Sequence, residues 1–570
     1  MIARTGYILC VCLCSLAYRS FSQNVGEVLK ADPITWSGGV NLMQSYYHAD
    51  GIDNRRDPYF WQLNADLQLE FFGVVRAPFS VTLSSQERRF AQPEPFNRIG
   101  ISPEYRGIKL HLGYRSMRFG EYCLAGQQFM GAGVELTPAD SPWQARAFYG
   151  RLNKPVDRIS RDGFVEAQPT YRRMAYGAQV GYEQKKARAA ISLLRSCDDP
   201  LSIDADSVAV RPEENLVLGI SGSVALLDRV RLEGEYAHSL LTRNTLSTQP
   251  YIDEFTFYNN LGGLYTPNGT SLFARAMRSR VVFSGDYFEF NVQYRRVDPD
   301  FQTHGSTFLN NDLEDLTMGV SIPLLEQRLQ VSGQFGSKRN NLENQLQSQQ
   351  RQLAVGATVA WQVYERLQWN ASYHNFSVST EQQLFETDFL SDTLSYQQVN
   401  AASQMMVSWQ PQKERDGRLH INLNQNQTSG SEAQGMKFLS LTGGYQTKVG
   451  NDYRIHASVQ WNRNEVSSLD QVNTLLGPVL SIGKHYPQRK LRLSFTSRYA
   501  REHNGEVVMN QLFANRLQCQ WTLWKKHRLS ANASYNVRMP RSENASRISE
   551  VRVSLSYGWR LSGKDREGVR

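Results

Sequence analysis

Apolar and polar residues alternate with a period of two along most of this chain. Residues 59–71 read YFWQLNADLQLEF. Tyr59, Trp61, Leu63, Ala65, Leu67, Leu69 and Phe71 fall on one face, and Phe60, Gln62, Asn64, Asp66, Gln68 and Glu70 on the other. Successive side chains of a strand point to opposite faces, so the pattern predicts a sheet with one apolar and one mostly polar surface. The pattern returns at Phe288, Phe290, Val292 and Tyr294, at Tyr453, Ile455, Ala457, Val459 and Trp461, and at Leu529, Ala531, Ala533, Tyr535 and Val537. About 26 segments of roughly nine to thirteen residues follow it, the length of a tilted strand crossing a bilayer. Strands of soluble sandwiches are shorter, ~5–6 residues. A propeller would repeat a shared blade signature every ~40 residues, and none is present.

The connections alternate short and long. Short ones fall at 184–186, 227–229, 326–327, 365–366 and 525–527. Long ones fall at 152–173, 198–214, 241–272, 298–315 and 380–397. Trp36, Trp61, Tyr114, Trp143, Tyr149, Trp369, Tyr373, Trp409, Trp461, Tyr499, Trp521 and Trp559 sit mainly near strand ends, where interfacial aromatic girdles are expected. The last segment alternates Val551, Val553, Leu555, Tyr557 and Trp559 with Arg552, Ser554, Ser556 and Gly558. Together these features resemble the Gram-negative outer-membrane β-barrels. The resemblance is architectural, rests on no function-specific motif and covers nearly the whole chain. It implies an all-β fold, a transmembrane up-and-down antiparallel β-barrel of about 26 strands over residues 35–561. It also implies contact with outer-membrane lipid and lipopolysaccharide, insertion by the barrel-assembly machinery, and both termini in the periplasm. The segment 23–34 is expected before the barrel and a polar tail, 562–570, after it. That tail departs from the family habit of ending on the aromatic strand.

Residues 1–22, MIARTGYILCVCLCSLAYRSFS, read as a cleavable signal peptide. Arg4 is the positive end, residues 6–17 the short apolar stretch, and Ser20-Phe21-Ser22 the cleavage site before Gln23. Cys10, Cys12 and Cys14 would leave with it. Cys123, Cys197 and Cys519 remain, far apart and expected as free thiols. Hydrophobic residues make up 41% and aromatics 11%, with no apolar run of the ~18 residues that a membrane helix needs. The aromatic load also speaks against disorder.

A ring of about 26 strands has a backbone diameter of about 50 Å. Left empty, it would make a membrane leak. Too few residues precede the first strand for a transporter-type plug domain, so the filling is expected from infolded loops or a separate partner. The loop 241–272, with its aromatic YIDEFTFYNNLGGLY, is the expected infolded segment.

One chemical feature repeats. Arg188, Arg231, Arg328, Arg418, Arg454, Arg492 and Arg528 each open a strand just after a short turn, on the face that alternation assigns to the lumen. Such a basic belt would bias a pore toward anions, unless carboxylates such as Glu70, Glu183, Glu233, Glu235 and Glu289 neutralise it. His420 and His456 follow two of these arginines on strands separated by one other. Strand spacing puts them ~10 Å apart, so no metal site is expected.

Gly219-Ile220-Ser221-Gly222-Ser223 lacks the final glycine of a nucleophile elbow and lies within a strand, and no HExxH or Walker loop is present. No catalytic residue, cofactor or enzyme activity is expected. The basic residues spread over many strands, which speaks against nucleic-acid binding despite a pI near 9.1. Two functions stay open: a conduit for solute or polymer, and a scaffold holding a partner protein in its lumen or loops for surface display, secretion or adhesion.

Overall fold

The computed structural model describes residues 33–562 apart from 89–91, 158, 162–163, 168, 205–209, 251–262, 388–389, 412–416, 431–434, 451, 525 and 542–544. The expected signal peptide, nearly all of 23–34, the tail beyond Ser562 and most of the aromatic stretch in the 241–272 loop lie outside these residues. Cys123, Cys197 and Cys519 are free thiols.

Among the described residues one antiparallel sheet of 27 strands makes the wall of the molecule. Two of them, Arg98–Ile101 and Glu104–Tyr105, share one position between Val75–Ser84 and Ile108–Arg118, so the ring has 26 positions. Each strand pairs with its neighbours in sequence. The ring closes where Ile34–Asp50 pairs with Ile548–Ser562, from Ser37 opposite Ser562 to Asp50 opposite Ser549. Closure leaves no edge of unpaired N–H and C=O groups, the condition for a sheet to sit in hydrocarbon. No helix among the described residues is long and apolar enough to cross a membrane.

The two faces differ as the alternation requires. Outward side chains form an exposed apolar band that includes Leu112, Val180, Ile191, Ile220, Ile421, Val459, Leu480, Phe495 and Leu555. A contiguous apolar surface of this kind is stable only against lipid. Trp36, Trp143, Trp361, Trp369, Trp409, Trp521 and Trp559 lie within a few residues of the barrel end that carries the short turns. At that end Trp559 stacks on His527, with ring centroids 5.6 Å apart. The even number of positions brings the start of the first strand and the end of the last to this same end.

Two expectations change. The 380–397 connection is not a loop: Leu367–Thr387 and Leu390–Trp409 stay paired to the tip, in strands of 21 and 20 residues. Beyond the bilayer the outer face no longer needs apolar residues, so the pattern fades while backbone pairing continues. The 152–173 connection contains its own small hairpin, Ile159–Arg161 with Phe164–Ala167. The infolded segments that the structure describes are 119–124 and 298–312. Both enter the lumen from the end opposite the short turns.

Candidate functional site: the barrel lumen

The lumen has two unlike sectors. Along the first, a patch of inward positions is small or apolar: Ala175, Leu194, Val217, Ala237, Ala274, Ala276 and Val297. Tyr122, Cys123, Leu124 and Phe301 of the infolded segments pack on them, each almost fully buried. Tyr122 and Phe301 meet edge to face, with ring centroids 6.0 Å apart. The segments also lock to each other. Thr303 Oγ1 donates to the Cys123 carbonyl at 2.8 Å, and Ala125 N–H donates to the Gly305 carbonyl at 2.8 Å. Gly305 permits this approach, because a Cβ there would stand 2.1 Å from the Cys123 carbonyl oxygen. Burial pushes the Cys123 thiol up to about 12, so it is unreactive.

Ion pairs to Glu121 pin this inner layer to the wall, and others brace the wall around it. Arg278 reaches Glu121 at 2.7 Å and Glu235 at 3.4 Å, and Arg295 binds Asp315 and approaches Glu121 at 3.5 Å. Arg173 makes a bidentate pair with Asp198 at 2.7 and 2.8 Å and also reaches Glu213 at 2.9 Å. His304, deep in the infolded segment, bridges Ser196 at 2.7 Å through Nδ1 and Glu213 at 3.2 Å through Nε2. Burial and the neighbouring Arg173 lower the His304 pKa below its ordinary value and keep the ring neutral. Burial alone would raise Glu213, but its hydrogen bond from His304 and the nearby Arg173 hold its carboxyl below the usual range. The Ser196–His304–Glu213 sequence has the order of a hydrolytic triad. The Ser196 side chain lies almost fully buried under the segment, however, so no substrate reaches it.

The second sector is different. The inward rows are Arg418, His420, Asn422 and Asn424; Arg454, His456, Ser458, Gln460 and Asn462; Arg492, Ser494 and Thr496; and Arg528, Ser530, Asn532 and Ser534. Fully buried apolar side chains beyond Leu313 are confined, among the described residues, to Ala500, Val537 and Leu561, all within strands.

The arginines singled out by sequence divide between these sectors. Arg188 pairs with Glu183 across its own turn at 2.8 Å, so it is neutralised there. Arg231, Arg328, Arg418, Arg454, Arg492 and Arg528 have no carboxylate within 4.0 Å among the described residues. The last four follow a regular register. Arg418 stands opposite Gln446, which stands opposite His456; Arg454 leads through Gly483 to Ser494; Arg492 leads through Gln520 to Ser530. Each arginine is thus offset by two residues from the next.

Sequence reasoning missed the inner layer and its ion pairs. A signal was present: Ala175, Leu194, Val217, Ala237, Ala276 and Val297 form a small or apolar patch across consecutive strands whose other inward positions are largely polar. The histidines also sit otherwise than strand spacing alone implies. His420 and His456 lean toward each other over the intervening strand, with Nε2 atoms 3.3 Å apart and ring centroids 5.0 Å apart. Gly444, on that strand, leaves the room: a Cβ there would stand 2.6 Å from His420 Cε1.

No protein-family model matches the chain, and no curated protein matches it. Solved structures do. The FrpB iron transporter from Neisseria meningitidis aligns with 94% of this chain and 84% of its own, at 10% identity and a TM-score of 0.36. OccK10 of Pseudomonas aeruginosa aligns with 92% and 99%, at 8% identity and 0.32. The translocation pore of the P pilus usher PapC aligns with 93% and 100%, at 8% identity and 0.34. In architecture the chain is a closed antiparallel β-barrel of 26 strand positions with an apolar outer band.

Proposed function

We propose that the protein is a conduit through the outer membrane for anionic or polar solute or polymer, running along the uncovered polar sector of its lumen. The observation that carries this reading is the contrast in the wall: an inner layer covers the first sector, while the second presents Asn, Gln, Ser, Thr and unpaired Arg. The regular offset supports a basic row at one height. One residue of stagger per strand, with ~3.3 Å rise and ~4.8 Å spacing, tilts strands by about 35°. That tilt cancels the two-residue offset between successive arginines and spaces them ~12 Å apart around the wall. Cations at such spacing, with no carboxylate partner among the described residues, attract anions toward this side of the wall.

Planar-bilayer recording of the purified protein tests the reading. Wild type should give current steps with anion preference. Changing Arg418, Arg454, Arg492 and Arg528 to Gln should leave the barrel folded and shift selectivity toward cations. Absence of current together with a stoichiometric copurifying lumen protein would replace the conduit by a scaffold, for which the width of the uncovered sector leaves room. The short-turn end, with both chain ends, is assigned to the periplasm. Protease added to intact cells should then cut within 152–173 and 241–272, and cutting confined to the short turns would invert that assignment.

A further inference from the structure

We infer that His420 and His456 form a binding site for a divalent transition-metal ion of the copper, nickel and zinc class. Both side chains point into the lumen from strands that flank Met436–Val449, and both present Nε2 to the same spot. Their separation of 3.3 Å is the bite of two imidazole nitrogens on one tetrahedral ion. Metal–nitrogen bonds of ~2.05 Å at the tetrahedral angle span about 3.35 Å. Gly444 lies beneath the pair and supplies the room in which the two rings meet. No third His, Cys, Asp or Glu joins them among the described residues, so the remaining coordination positions open to lumen water or to a passing ligand. Arg418 and Arg454, two residues before each histidine, oppose a cation. The site therefore favours ions with high affinity for neutral imidazole: zinc(II) fits the tetrahedral bite as it stands, and copper(II), first in the affinity order, binds once the two rings close to its tetragonal span of about 2.9 Å.

Copper(II) titration of the purified full-length barrel in detergent, followed by calorimetry and electron paramagnetic resonance, tests this. Wild type should bind one ion per chain with hyperfine coupling to two nitrogens. His420→Gln and His456→Gln should each weaken binding on the order of tenfold or more, and the pair of changes should abolish it. His374→Gln, a lumen histidine beside Gln334, should leave it unchanged. Heat-dependent gel mobility reports that each variant is folded. A wild type that takes up no stoichiometric copper, or a double variant that binds as tightly as wild type, would overturn the site and leave the pair as a hydrogen bond between two rings.

Discussion

The two lumen sectors are built on one backbone plan and do opposite things with it. Strands of both share the outward apolar band, the antiparallel register and the short turns. In the first sector a patch of inward positions shrinks to alanine and glycine or stays apolar among polar neighbours, and two connections fold back to bury Tyr122, Leu124 and Phe301 against it. In the second the inward positions are polar, and no described connection adds a buried apolar side chain. A barrel wall thus specifies its filling by inward residue size and polarity, independently of the outward face that specifies the membrane.

The comparison breaks most directly at Phe301. Changing Phe301 to Ala removes a buried ring from the inner layer and should cost that layer about 3–5 kcal/mol of docking. Maleimide should then label Cys123, which is shielded in the wild type, as read by mass spectrometry of the Cys123 peptide. Continued protection of Cys123 would show that the ion pairs alone hold the layer.

Charge provides the second contrast. Arg173→Gln leaves Asp198 buried without its partner and should destabilise the first sector by about 3–5 kcal/mol in denaturant unfolding. Arg538→Gln breaks a more exposed pair with Glu502 at 3.7 Å and should cost at most about 1 kcal/mol. Equal effects would erase the distinction between a packed and a hydrated sector.

Acidification should loosen the inner layer of the first sector. The His304 pKa is lowered in the docked segment, so the released segment binds a proton more readily. Docking is fully stable above the ordinary histidine range and weakens as pH falls below about 6.5. Glu213, held below the usual carboxylate range, adds a second loss near and below about pH 4.5 as it is protonated. Hydrogen exchange of residues 299–309, corrected for the intrinsic pH dependence, should therefore lose protection between pH 7 and 5. The strand 507–523, which carries no histidine, should keep its protection. Protection of 299–309 that does not change with pH would remove His304 from the lock.

Period-two alternation in segments such as 59–71 and 453–461, and the alternating lengths of the connections, made the closed barrel and its strand number legible. The arginines were legible because a short turn followed by Arg and an apolar residue fixes both height and face. The inner layer was not. The stretch 119–124 carries no signal that sets it apart in sequence, and 298–315 reads as one long connection among several. The extension of 367–387 and 390–409 was equally hidden, since paired backbone outside lipid needs no apolar face.

The sequence by itself determined the side of the wall on which each strand residue lies, because strand geometry converts parity into direction without reference to the rest of the molecule. It therefore determined the membrane band, the polar interior and the phase of the arginine row. Tertiary structure decided what meets across the lumen. Glu121 and Arg278 are 157 residues apart, Cys123 and Thr303 are 180 apart, and His420 and His456 meet only because the strand between them carries glycine at that height. Such contacts depend on register around a closed ring and on the path of infolded connections, quantities that local periodicity does not contain.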